Sequence, residues 1–295
     1  MVFMPLRKAL RPALFLFAVV FLSSPAYPSD VLIIGDTHYR PVSQVADGIK
    51  HLLRARVKIY NLADVSGRLP SVVSKEDARV VVALGKDAVN EALRLPVAVP
   101  VIYGLIIEPP RRHRGNMTGV YMSTPVSEYV HIVRKYLPVL KKIAVMGSNR
   151  LMNILDGTVS PNVSVFRTGN SAEFLGALGR IGDAQALLLL PDVSILSASV
   201  MENVYLFSYR KGIPLLGISE GNVKQGSLLA LVFDPSGISE QISEIAGHVL
   251  QGSDLAGMRP AAPKKYRLSL NINTARKMGI VIPEGLLRDA DKIYE

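Results

Sequence analysis

ALLLLPD (186–192), VSILSASVMENVYLFSYRKG (193–212), IPLLGISE (213–220) and GNVKQGSLLALVFDP (221–235) together decide the fold class. A solid apolar run ends in Pro191-Asp192, a helical segment follows, and a second apolar run ends in Ser219-Glu220. Continuous hydrophobic runs separated by a helix are the mark of parallel strands buried on both faces. The polar residues then fall at the carboxyl ends of the strands, where open α/β sheets take their ligands.

The same alternation extends in both directions. Upstream, strands are predicted at Val31–Asp36, Val57–Leu62, Arg79–Gly85 and Val99–Leu105, with Asn116–Met122 leading into a helix at Pro125–Leu137. Helices are predicted at Pro41–Arg56 and Lys86–Leu95, and 62–77 reads as a loop or weak helix. A second series begins with strands at Lys142–Gly147 and Val163–Thr168 and a helix at Ser171–Gly182. In Ser236–Gly252, residues Ile238, Ile242, Ile245, Val249 and Leu250 share one helical face, and Gly252 supplies the stop. A strand at Tyr266–Leu270, a short helix at Asn271–Met278 and an extended piece at Ile280–Pro283 close the chain. Two βα series predict an α/β protein of two Rossmann-like lobes with parallel sheets.

The first residues stand outside that plan. Arg7, Lys8 and Arg11 precede the apolar run Ala13–Leu22, and Ser24-Pro25-Ala26 offers a cleavage site, so 1–26 reads as a secretory signal peptide. The rival reading is an uncleaved anchor, although ten residues are too few to span a bilayer. The chain has no cysteine. That excludes lipid attachment through a lipobox, disulfides, a thiolate nucleophile and cysteine metal sites. The expectation is an exported periplasmic protein held together by its core. The formal net charge of +10 falls to +7 without the three leader cations. The remaining basic residues are scattered apart from Arg111-Arg112-His113-Arg114, with no aromatic interleaving, which argues against nucleic acid. That basic segment reads as a solvated loop, or alternatively as an anion-steering or partner surface.

Candidate site residues gather at the predicted strand ends: Asp36, Gly85, Lys86, Tyr103 and Gly104 in the first series, and Ser148, Asp192, Ser219 and Glu220 in the second. Small residues beside polar ones suit a cleft around a small ligand. Each is equally intelligible as a cap or turn former. The Gly217-Ile218-Ser219-Glu220-Gly221 pattern matches the nucleophile elbow of serine hydrolases, with Asp234 and His248 following in order. Against that reading, GNVKQG (221–226) is too short and polar for the helix an elbow opens, and His248 lies inside a helical pattern. The five histidines show no metal-binding spacing, and there is no Gly-rich nucleotide loop, so no cofactor is expected.

Four blocks in order give the chain a family likeness. VPVIYGLIIEPP, NMTGVYMSTPVSEYVHIVRKYLPVLKKIAVMGS, IPLLGISEGNVKQGSLLALVFDP and LNINTARKMGIVIPEGLLRDADKIYE resemble the ABC transporter substrate-binding family of type I periplasmic-binding fold. The similar branch includes aromatic amino-acid binders. The resemblance implies two lobes, 30–121 plus 233–262 and 122–232 plus 263–295, joined by crossings near Tyr121, Phe233 and Pro263. It further implies a non-enzymatic, monomeric protein that passes a small-molecule ligand to an ABC permease, or alternatively senses it for a membrane receptor or kinase. Asp192 aligns with an aspartate that pairs with ligand ammonium groups in amino-acid binders. Gly104 and Ile107 replace hydroxyl residues, and Lys86 replaces a small or hydroxyl residue, so the ligand implied is not necessarily an amino acid.

Overall fold

The computed structural model describes residues 30–110, 114–123, 125–155 and 161–295. The predicted signal peptide and the Arg111-Arg112-His113 part of the basic segment lie outside the described residues. Two sheets organise the remainder. The first holds five parallel strands in the order β2 (Val57–Asn61), β1 (Val31–Gly35), β3 (Val80–Leu84), β4 (Val101–Ile106) and β5 (Met117–Tyr121). β1 and β3 are buried throughout, and their alternate residues feed two different cores. Val31 and Ile33 face α1 (Arg40–Leu52), while Leu32 and Ile34 face α3 (Leu69–Glu76) and α4 (Lys86–Ala92). This is why the runs carry no polar alternation.

The second sheet has seven strands. Its order is β12 (Lys292–Tyr294), β11 (Tyr266–Asn271), β10 (Leu229–Phe233), β9 (Leu215–Gly217), β8 (Ala186–Leu189), β6 (Ile143–Ser148), β7 (Val163–Thr168). One face packs α5 (Val126–Tyr136), α6 (Asn149–Leu155), α11 (Ile272–Lys277) and α12 (Glu284–Asp289). The other packs α7 (Ser171–Leu178) and α8 (Ala198–Lys211). Two short helices complete the order, α2 (Leu62–Val65) after β2 and α9 (Glu220–Gln225) after β9.

The chain passes between the sheets three times. It leaves the first sheet after Tyr121 and returns after Phe233 as α10 (Pro235–Leu250). Ile238, Ile242 and Ala246 of α10 are wholly buried against α1 and the first sheet. After a bridge between Ala261 and Val120, the chain enters the second sheet again as β11. β11 runs antiparallel to β10, with Tyr266 opposite Phe233. The chain left and re-entered at the same edge of the sheet, so the two strands must point opposite ways. That pair departs from the predicted all-parallel order.

Other departures are local. Residues 62–77 are helical as α2 and α3 because the Asn61 side chain caps Ala63 N–H and Leu69 and Val73 reach the core. α8 starts at Ala198, where Ser197 caps Val200 N–H, so Asp192–Ser197 form a turn that the helical pattern had concealed. α12 and β12 are too short for any periodicity, and α12 is held by buried Leu286, by Leu287 packed beside it and by the Tyr136 hydroxyl on Asp289.

Candidate functional site: the cleft at the strand ends

The carboxyl ends of β8, β9 and β10 face a hollow of about 160 Å³ beside the crossings. Leu189, Leu190 and Pro191 come from the end of β8, Ile218 from the end of β9, and Leu231 and Phe233 from β10. Tyr129 of α5 supplies one wall, and Ile107 and Met122, from the ends of β4 and β5, supply the other. Tyr129 is itself fixed, since its hydroxyl donates to Gly217 O at 2.7 Å and accepts from Leu231 N at 3.3 Å. The lining is apolar, and burial pushes the hydroxyl pKa of nearby Tyr121, and of Tyr266 opposite Phe233, upward. These tyrosines stay neutral. A second hollow of about 120 Å³, beside Arg134, Ile143 and Asn162, lies at the amino end of β6, away from the strand tips.

None of the nine residues predicted from the sequence lines the larger hollow. Asp36 is exposed and accepts from His38 N–H at 3.1 Å, within a local cluster of Thr37, His38 and Asn61. Gly85, at φ 94°, opens α4 and donates to Gly104 O at 2.9 Å, and Lys86 beside it is exposed. Tyr103 is buried in the core under α3 and α4. Gly104 faces α10, where a methyl group would lie 2.6 Å from Ile242 Cδ1. In this conformation both residues serve packing rather than the cleft.

Ser148 and Asp192 do meet. Asp192 is 4% exposed, its Oδ2 accepts from Ser148 N–H at 2.8 Å, and its Oδ1 accepts from Ser194 Oγ at 2.6 Å. Burial pushes its pKa up, but the bonds from Ser194 and Ser148 outweigh this and hold it below the usual carboxylate range. Both oxygens are engaged, so Asp192 fastens the ends of β6 and β8 together instead of presenting a bare carboxylate. Ser219 caps α9, its Oγ accepting from Asn222 N at 3.1 Å and donating to Asn222 Oδ1 at 3.0 Å. Glu220 accepts from Lys292 Nζ and Tyr294 Oη, and Lys292 first, then Tyr294, lower its pKa despite some desolvation. It ties α9 to the last strand.

The elbow reading does not survive this geometry. Ser219 sits on a six-residue helix of the second lobe, while His248 lies exposed on α10 against the first sheet. Among the described residues, no three His, Asp or Glu side chains gather as a metal would require. Ile107 was noted in the sequence only as a replacement for a hydroxyl residue, and the lining residues that sequence reading missed include Met122, Tyr129, Pro191, Ile218 and Phe233. Pro191 and Ile218 are immediate neighbours of Asp192 and Ser219, so the strand ends were legible. Polar residue types mark the strand ends, whereas the apolar residue beside each one carries no such mark.

A family model described as ABC transporter substrate binding protein matches residues 72–294, most of the chain. The chain belongs to that family. Its members are binding proteins rather than hydrolases, recognise small molecules, work with a transporter partner, and usually act in the periplasm or outside the cell. No curated protein matches the sequence. Among solved structures, the substrate-binding chain is similar to the ABC domain from Streptococcus pneumonia in complex with L-Trp. That match has 18% identity and a TM-score of 0.57, over 90% of this chain and 99% of that one. A conserved domain protein from Vibrio cholerae matches at 19% identity and TM-score 0.58, with the same coverage. The ligand-free, open structure of a substrate binding protein with adhesive properties from Clostridium difficile matches at 15% identity and TM-score 0.64, again over 90% and 99%. These likenesses bear on the fold, which is of type I periplasmic-binding architecture. No helix among the described residues is long and apolar enough to cross a membrane.

Proposed function

We propose that this chain is the periplasmic solute-binding component of an ABC importer, exported through residues 1–26 and working as a monomer. It captures a small ligand with a substantial apolar body between two hinged lobes. The lobes are proposed as 30–121 plus 233–262, and 122–232 plus 263–295. The observation that carries this reading is the apolar hollow at the crossings, lined from both sheets and rimmed by strand ends. Burying apolar ligand surface there supplies roughly 25 cal/mol per Å² removed from water. Asp36, Gly85, Lys86, Ser148 and Ser219, at strand ends outside the lining, are proposed to meet the ligand's polar end as the lobes close, setting orientation and specificity. Tyr103, Gly104, Asp192 and Glu220 hold the framework behind them.

The test is a thermal-shift screen of aromatic and aliphatic amino acids, small carboxylates and nucleosides. The L-Trp complex of the Streptococcus protein makes aromatic amino acids the first compounds to try. A ligand at a hundredfold excess over Kd stabilises by about 2.7 kcal/mol, a shift of several degrees. The expected result is such a shift for compounds with an apolar group, lost in Ile218→Asp, which places a charge in the hollow. If a folded protein shows no shift across the panel, or Ile218→Asp leaves it intact, the reading fails.

A further inference from the structure

β4 ends in an unusual way. Leu105 is 7% exposed and adopts φ 56°, a left-handed conformation that side chains other than glycine rarely take. At the same point the pairing with β5 slips, between Tyr103 and Ile106. Strain of this kind persists only where the surroundings hold it. Its effect here is on direction. Ile106 still packs in the first-lobe core and accepts from Met122 N–H at 2.6 Å. Ile107 packs instead against the core of the second lobe and lines the hollow. Glu108, largely shielded from solvent, forms an ion pair with Arg150 near the start of α6 in the second lobe. Ile107 and Glu108 thus reach from the first lobe to the second beside the first crossing, at side chains that are not part of the crossing chain itself.

We propose that Leu105–Glu108 is a clasp between the lobes and that Ile107 sets the size of ligand the cleft accepts. This rests on the reading of the hollow as a solute site. The crossings tether the lobes but leave them able to swing, whereas the Glu108–Arg150 pair and the Ile107 contact exist only when the cleft is shut. Opening must break both. A ligand that fits beneath Ile107 leaves the clasp engaged, and a bulkier one holds it apart.

The clasp is tested without any ligand. The chain has no native cysteine, so Asn90→Cys with Ala172→Cys places one spin label on an exposed site of each lobe. The interlobe distance is then read by electron–electron double resonance. Glu108→Gln and Arg150→Glu are each expected to shift the distribution to longer distances, and Glu108→Arg with Arg150→Glu to restore it. In the protein carrying only the labels, rising salt should lengthen the distance, an effect absent in Glu108→Gln. Single variants or salt that leave the distance unmoved, or a reversal that does not restore it, overturn the clasp. Because this readout needs no ligand, it can fail while the binding screen succeeds, or the reverse. Ile107→Ala should extend the set of stabilising compounds to bulkier ones, and an unchanged set would remove Ile107 as the gauge.

Discussion

Asp192 brings two acceptor oxygens into a nearly closed site, and donors from Ser148 and Ser194 meet them there. Asp192→Asn replaces one acceptor with a donor facing donors, which should cost about 1–3 kcal/mol by urea denaturation at pH 7. The pH dependence follows from a folded pKa held below the ordinary carboxylate value. The folded form then favours the ionised group, so this stability is fully present above the unfolded pKa of about 3.9 and lost as pH falls through the folded pKa. The gap between wild type and Asp192→Asn should therefore be steady from neutral pH to about 5 and narrow below about 4. A gap that widens in acid would contradict this account. Ser219→Ala removes a helix cap and should cost about 1 kcal/mol. It should leave the protein's lack of reaction with a fluorophosphonate probe unchanged, since the hydroxyl is spent on Asn222. Both residues were visible in the sequence as polar strand ends. Which donors would occupy them depended on Ser148, 44 residues away from Asp192, and on the bonding of Asn222.

At the scale of elements, α10 is the informative case. Its apolar face at Ile238, Ile242 and Val249 was evident from spacing, and the family likeness assigned it to the first lobe, but neither the burial of Ala246 nor the partner helix was evident. It lies on α1, where Gly48 lets the two helices approach and Ser239 Oγ donates to Val45 O at 3.1 Å. A methyl group at Gly48 would collide with the Ser239 hydroxyl. Gly48→Ala should therefore destabilise by about 1–3 kcal/mol despite alanine's better helix propensity. Gly247, in the same helix as Ser239, has open space where a methyl group would stand. Gly247→Ala should stabilise by roughly 0.5–1 kcal/mol, because it restricts the unfolded chain and meets nothing. Denaturation midpoints of the two variants should move in opposite directions. If they move together, propensity rather than contact governs this helix pair.

For the whole molecule, the question is how two sheets with separate cores are joined. The third crossing runs beside α10 and is tied to it by Lys265–Glu240 at 2.6 Å and Lys264–Glu244 at 3.8 Å. Gln241 adds bonds to Ala262 O and Lys264 N–H. These exposed pairs are each worth little, but together with Gln241 they keep the crossing aligned along the helix. Once a stabilising ligand is in hand, its addition should hold the lobes closed, and the radius of gyration measured by small-angle X-ray scattering should be no larger than that of the free protein. An expansion on binding would be incompatible with capture between the lobes.

The sequence by itself determined the local matters: buried strands at Val31–Gly35, Val80–Leu84 and Ala186–Leu189, the helical face of Pro235–Leu250, and the positions of the strand ends. These follow from side-chain periodicity and turn chemistry within a few residues. Only the tertiary structure decided that α10 packs on α1, that β11 runs against β10, and that Ile107, Tyr129, Ile218 and Phe233 surround one hollow. Those residues come from separate segments, and no local pattern distinguishes an apolar side chain facing a core from one facing a cleft. The difference is set by where the chain crosses between sheets.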